Sequence, residues 1–280
     1  MTDTPTPDTD RAIADAKAVL QGRKIAFITG AGVSTDSGIP DYRGAGSIPR
    51  SPMDIKAFLT SHEARQRYWA GGHRGYQAFS ATQPNASHEA IAAFERAGAA
   101  LGVITQNVDG LHLKAGSAHV VELHGTARRI VCTTCGQVFD RRDISARIEA
   151  ANPWLLSAPA AELGPDGDSI PENVDQVVVP ECTICGGILR PDVVFFGEYI
   201  PRERFARAEG MVAAAEAIVV AGTSLTVNTP IRLLDRARRR GLPIVIINRG
   251  ATKWDSQAAV KIDDGTSATL TALAEAMEIA

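Results

Sequence analysis

The stretch Val103-Ile104-Thr105-Gln106-Asn107-Val108-Asp109-Gly110-Leu111-His112 decides the fold. Leu101 to Thr105 is a short β-branched run bounded by Gly102 and by Asn-Val-Asp-Gly, which predicts a buried parallel strand. Its polar cluster then sits at the strand's carboxyl end, the edge where open α/β sheets bind ligands. Working outward, Lys24–Thr29, His119–Gly125, Arg190–Glu198, Ala217–Ala221 and Pro243–Ile247 are further strand-like runs. Several end in small or hydrogen-bonding residues: Gly30-Ala31-Gly32, His124-Gly125, Gly222-Thr223-Ser224 and Asn248-Arg249-Gly250. That recurrence predicts one extended nucleotide cleft.

Between the strands, helical spacing predicts helices over Arg11–Leu20, Arg204–Ala215 and Ile231–Arg240. Arg236, Arg238, Arg239 and Arg240 read as a solvated C-terminal face that suits the helix dipole. Residues 51–98 read as short helices forming a cap, broken at Gly71-Gly72 and at Gln83-Pro84-Asn85. A strand running into Gly30-x-Gly32 lets backbone approach a pyrophosphate, but Thr35 stands where a third glycine would be. A tight turn without a ligand remains an equal reading of that motif.

Composition excludes several classes. The chain has 280 residues, 45% of them hydrophobic, with a formal charge of −3; this leaves no basic footprint for nucleic acid or an anionic membrane. No apolar run approaches the ~18 residues that span a bilayer. Residues 1–10 are Thr/Pro/Asp-rich, which predicts a disordered tail rather than a signal or transit peptide and points to the cytoplasm.

All four cysteines fall in two matched pairs, Cys132-Thr133-Thr134-Cys135 and Cys182-Thr183-Ile184-Cys185, each followed by glycine. Four thiolates so spaced suit one tetrahedral zinc ion, in a closed site that is structural rather than catalytic. A redox dithiol or two disulfides is the competing reading, which a reducing compartment disfavours. The interval from Ala150 to Asp168 reads as an Ala/Pro/Gly/Asp-rich surface insertion, either a lid or tolerated packing.

Taken in order, Gly30–Ser34, Ser37–Arg43, Gln106–Asp109, Leu123–Gly125, the Cys-x-x-Cys pairs, Phe196–Glu198 and Gly222–Ser224 resemble the sirtuin family over about residues 10–275. Tyr42, Tyr68-Trp69-Ala70, the insertion and Pro191–Gly197 look closest to its class II branch. The resemblance implies an α/β architecture: a Rossmann-like parallel sheet with helices on both faces, over residues 11–43, 86–126 and 188–280. It also implies a small domain combining a helical cap (44–85) with a four-cysteine zinc ribbon (127–187). NAD, consumed as a substrate, and an acylated-lysine protein segment would meet between the two domains.

The same resemblance assigns roles. The acyl oxygen attacks the ribose carbon bearing nicotinamide, an alkylamidate forms, and His124 acts as general base on a ribose hydroxyl, yielding free lysine and O-acyl-ADP-ribose. Asn107 and Asp109 would line the nicotinamide pocket. Gly30, Ala31, Gly32, Ser34, Ile39, Asp41, Tyr42, Arg43, Gln106, Val108, Gly222, Thr223, Ser224, Asn248, Arg249, Gly250 and Thr266 would complete the NAD site. Val194, Phe195, Gly197, Glu198, Leu225 and Val227 would take the substrate as an added strand. Family members that remove acidic acyl groups carry Tyr-x-x-Arg where this chain has Tyr68-Trp69-Ala70-Gly71, so a neutral acyl group is expected. Mono-ADP-ribosyl transfer to protein and a non-catalytic NAD-sensing zinc module are the alternatives.

Overall fold

The computed structural model describes residues 7–42, 53–156 and 173–279. Arg43 and residues 157–172, which include most of the expected insertion, lie outside the described residues. The helices are α1 (Pro7–Leu20), α2 (Ile55–Thr60), α3 (His62–Ala81), α4 (Ala86–Arg96), α5 (Leu111–Lys114), α6 (Arg141–Ala151), α7 (Arg202–Ala214), α8 (Asn228–Arg239) and α9 (Thr266–Ala276). The strands are β1 (Ile25–Thr29), β2 (Ala100–Thr105), β3 (Val120–Glu122), β4 (Gly125–Cys132), β5 (Val138–Asp140), β6 (Leu189–Val193), β7 (Ala217–Ala221), β8 (Ile244–Ile247) and β9 (Val260–Ile262).

Six strands form one parallel sheet in the order β3-β2-β1-β7-β8-β9. This is a doubly wound order, with the strand order reversing between β1 and β7. Alternation along each strand feeds two cores. Ile25, Phe27, Val103, Val219 and Val245 face α1, α4 and α9, whereas Ala26, Ile28, Ile104, Val220 and Ile246 face α7 and α8. The expected Rossmann-like sheet with helices on both faces is therefore present.

The small domain has its own core. Trp69 and Ala70 of α3 pack with Ile130 and Cys132 of β4, Ile144 and Ile148 of α6, Leu189 of β6 and Cys182. The cap helices and the cysteine module thus share one interior.

Four expectations are corrected. First, α1 begins at Pro7, within the expected tail; proline suits a first turn, Asp8 and Asp10 favour its dipole, and buried Thr9 bonds Asp264 at 3.2 Å. Second, α3 runs unbroken through Gly71-Gly72, held by the buried Trp69 and by Arg141, whose Nη2 donates to the Gly72 carbonyl at 2.7 Å. Third, residues 189–193 do not resume the parallel sheet. They form an edge strand antiparallel to β4 in the order β5-β4-β6, where Pro191 is tolerated because an edge lacks a second partner. Fourth, Ala150 to Leu156 is packed structure, not surface insertion: α6 runs to Ala151, a 3-10 turn spans Pro153–Leu156, and Leu155 is buried.

Candidate active site

The site is built where the turns after β1 and β7 cross. Gly32 N donates to Gly222 O at 2.9 Å. A Cβ on Gly32 would lie 2.9 Å from Gly222 Cα, and one on Gly222, at φ +61°, would lie 2.4 Å from Val33 N. The glycines of the Gly30-x-Gly32 motif are thus required by backbone-on-backbone crossing as well as by any phosphate. That crossing is the topological switch point of the sheet, where α/β folds open a cleft.

A cleft of about 1940 Å³ runs from this crossing into the small domain. It is lined by Gly30, Ala31, Gly32, Ser34, Ile39, Asp41, Tyr42, Gln106, Asn107, Val108, Asp109, His124, Gly222, Thr223, Ser224, Asn248, Arg249 and Gly250. Val194, Phe195, Gly197, Glu198 and Val227 line it on the substrate side. Two expected residues stand elsewhere. Leu225 is fully buried in the core beneath the sheet, at φ +53°, so it is not an extended residue of a substrate-pairing strand. Thr266 is buried behind the glycine turn, where it accepts a hydrogen bond from Ser87 at 2.8 Å and makes a long 3.5 Å contact with Gly32 O.

At the centre lies a directed network. Asn107 Nδ2 donates to Gly30 O and to Ser34 Oγ, both at 3.1 Å, and Ser34 Oγ donates to Asp109 Oδ2 at 2.7 Å. The other carboxylate oxygen accepts from Leu111 N at 2.9 Å. Behind Ser34, His88 accepts from Asn85 N at Nδ1, leaving Nε2 to reach Ser34 Oγ at 3.5 Å. His88 also meets His112, whose Nε2 bonds Thr29 Oγ1 at 2.9 Å and whose Nδ1 is buried without a partner. Desolvation pushes the pKa of His112 well below its usual 6.5, and neighbouring His88 pushes the same way. His112 is therefore a neutral core residue, as its place beyond the turn suggests.

His124 follows β3, with its Nδ1 2.9 Å from Gln106 O. A carbonyl only accepts, so Nδ1 carries the proton and the Nε2 lone pair of the neutral ring is available as a base. Burial lowers the His124 pKa, opposed by the Gln106 carbonyl and aided by Arg204. Opposite, Glu198 is committed to Arg190, which donates to both of its oxygens at 2.6 Å, and to Phe195 N at 2.8 Å. Phe195 packs among Phe58, Tyr68 and Arg190. The cleft wall also includes Tyr68, Gly72, Tyr76 and Arg141. Tyr68 belongs to the segment on which the acyl expectation rests, whereas Gly72, Tyr76 and Arg141 carry no sequence motif that marks them.

The four cysteine Sγ atoms lie within 4.8 Å of one another, with Cys132–Cys185 at 3.5 Å and Cys135–Cys182 at 3.7 Å. A tetrahedral ion with Zn–S bonds of about 2.3 Å needs sulfurs about 3.8 Å apart, so the cluster fits zinc. All four are free of disulfides. Backbone N–H groups of Cys135 and Thr134 pull the Cys132 thiol down, which favours its thiolate.

A profile described as the Sir2 family matches residues 30–229. The chain belongs to the Sir2 family. Among its Sir2 relatives, "NAD-dependent protein deacetylase 1" of Mycobacterium avium is 45% identical over 262 residues, covering 92% of this chain and 93% of that protein. The "NAD-dependent protein lipoamidase sirtuin-4, mitochondrial" of Bos taurus is 40% identical over 267 residues, covering 92% and 84%. A solved "Sir2-p53 peptide-NAD+" structure superposes with a TM-score of 0.76 at 28% identity, covering 99% of this chain and all of that one. The family match, residues 30–229, includes both glycine turns, His124 and all four cysteines.

Proposed function

We propose that this Sir2 protein is an NAD-dependent protein deacetylase of the class II branch, acting on acetylated lysine side chains of proteins in the cytoplasm. The observation that carries the reading is the bond from His124 Nδ1 to Gln106 O, which leaves a base at the carboxyl edge of the sheet beside Asn107 and Asp109. The deacetylase assignment is supported by the 45% identity to bacterial deacetylases, and the branch by the sirtuin-4 relatives.

NAD supplies the ribose carbon from which nicotinamide leaves. This chain's residues do the rest. The glycine crossing gives backbone the close approach that phosphates need, while Gln106, whose side chain donates to Thr29 O and Thr223 Oγ1, fixes the floor between the two turns. Asn107 and Asp109 are held by Ser34 toward the nicotinamide carboxamide. His124 Nε2 takes the proton of a ribose hydroxyl as that oxygen attacks the carbon of the transferred acyl group. The zinc would be held by Cys132, Cys135, Cys182 and Cys185 and would keep the small domain folded, with no open position for chemistry.

The test is incubation with NAD and an acetyl-lysine peptide, followed by mass spectrometry. Nicotinamide, deacetylated peptide and O-acetyl-ADP-ribose are expected. ADP-ribosylated protein without deacetylation, or intact NAD, would overturn the reading.

A further inference from the structure

The cleft does not stop at the substrate side described above. Beyond Phe196 and Val227 it continues over α7 and α8, where Tyr199, Arg202, Phe205, Glu209, Arg232 and Arg236 line it. Three arginines meet one acid there. Arg236, expected on a solvated face, forms an ion pair with Glu209, and Glu198 at the near end is committed to Arg190. Arg202 and Arg232 are both exposed, and among the described residues neither has a carboxylate partner. Arg232 is nonetheless fixed in place, because its guanidinium lies over the face of buried Phe205, 4.4 Å from the ring centre. Stacking occupies the plane of the group and leaves its edge N–H groups to donate. Arg202 is the first residue of α7, the end of a helix where the dipole disfavours a cation.

The chain itself leads a substrate to these cations. Glu198 and Val227 belong to the two segments expected to flank the substrate main chain. Arg202 follows four residues after Glu198, and Arg232 five residues after Val227. Between them the rim is apolar and open, with Tyr199 96% exposed and Phe196 54% exposed. An added strand binds through main-chain hydrogen bonds, which say little about sequence, so charge at the rim is what remains to select among lysines. Two spare guanidinium groups suit one or two carboxylates of a peptide. They are too few for a nucleic-acid backbone, which the formal charge of −3 also disfavours.

Resting on the deacetylase reading above, we propose that Arg202 and Arg232 form a docking surface for an acidic stretch of the substrate protein, so that acetyl-lysines with Asp or Glu a few residues away are preferred. The contact is made with the chain flanking the lysine and takes no part in bond breaking. Its effect therefore belongs in KM.

The experiment uses the zinc-loaded protein with NAD and two acetyl-lysine peptides, identical except that the flanking Asp and Glu of one are Asn and Gln in the other. The acidic peptide is expected to exceed its amide counterpart in kcat/KM by about threefold or more, through a lower KM, as for two exposed charge pairs. Raising salt from about 0.1 M to about 1 M, where the Debye length falls to roughly 3 Å, should erase the difference. So should the double substitution Arg202→Gln with Arg232→Gln; both side chains are exposed, and a thermal melt checks that the variant is folded. Equal kcat/KM for the two peptides, an advantage indifferent to salt, or one that survives the double substitution overturns the proposal and leaves the deacetylase reading intact. If neither peptide is turned over, the deacetylase reading fails, and fluorescence anisotropy of the same peptides, labelled, still decides the docking surface. Equal Kd values then overturn it, and tighter binding of the acidic peptide supports it.

Discussion

The Nδ1 atom of His124 lies 2.9 Å from the main-chain oxygen of Gln106, a residue that also braces Thr29 and Thr223 with its side chain. One residue therefore sets both the tautomer of His124 and the spacing of the turns after β1 and β7. His124→Ala is expected to lower kcat by roughly 10²- to 10⁴-fold, the range for a general base, with little change in Tm. Steady-state rates together with a thermal melt check both halves.

The pH profile follows from the same residue. Burial lowers the His124 pKa, and a base must be unprotonated to act. The acid limb of kcat/KM is therefore expected below the ordinary histidine value of about 6.5, with a flat rate above it. A limb above 7 would show that another group controls the step.

Ser34→Ala removes the hydroxyl that accepts from Asn107 and donates to Asp109. A lost hydrogen bond to a carboxylate costs about 1.5–3 kcal/mol, so kcat/KM for NAD should fall at least about tenfold. Isothermal titration with NAD separates weakened binding from slower chemistry.

Stability should also depend on pH through His112. Its folded pKa is depressed, so between the folded and unfolded values the unfolded chain binds the extra proton and stability rises with pH. The contribution is complete above about 6.5 and is lost as pH falls toward the folded value. Tm should drop between pH 7 and pH 5, and His112→Gln should flatten that slope.

Gly222→Ala puts a methyl group 2.4 Å from Val33 N and on a backbone of φ +61°. The crossing must open, costing about 2 kcal/mol or more. Both a lower Tm and weaker NAD binding are expected, whereas Gly210→Ala, on the exposed face of α7 where nothing lies within 4 Å, should leave NAD binding unchanged and raise Tm slightly, since alanine is the better helix former.

Much of this was legible because β1, β2, β7 and β8 are buried on both faces, which makes them continuous apolar runs closed by turn residues. β9 and α9 were not: Val260–Ile262 is three residues long, and α9 is rich in Ala and Thr with no sharp polar face. Arg190-Pro191-Asp192 read as part of the large sheet since a strand pattern does not name its partner; only pairing with β4 assigns it. In the site, residues after strand ends were found by position.

β4 has a further consequence. It starts at Gly125, directly after His124, and ends at Cys132, and its neighbour Val194 donates to His124 O at 2.8 Å. His124 and the first cysteine of the cluster, Cys132, thus flank one eight-residue strand, whose pairing with β6 slips between Thr126 and Ile130. The slipped pairing between Thr126 and Ile130 lies between the imidazole and the cysteine cluster, so strain at one end reaches the other only through an interrupted ladder.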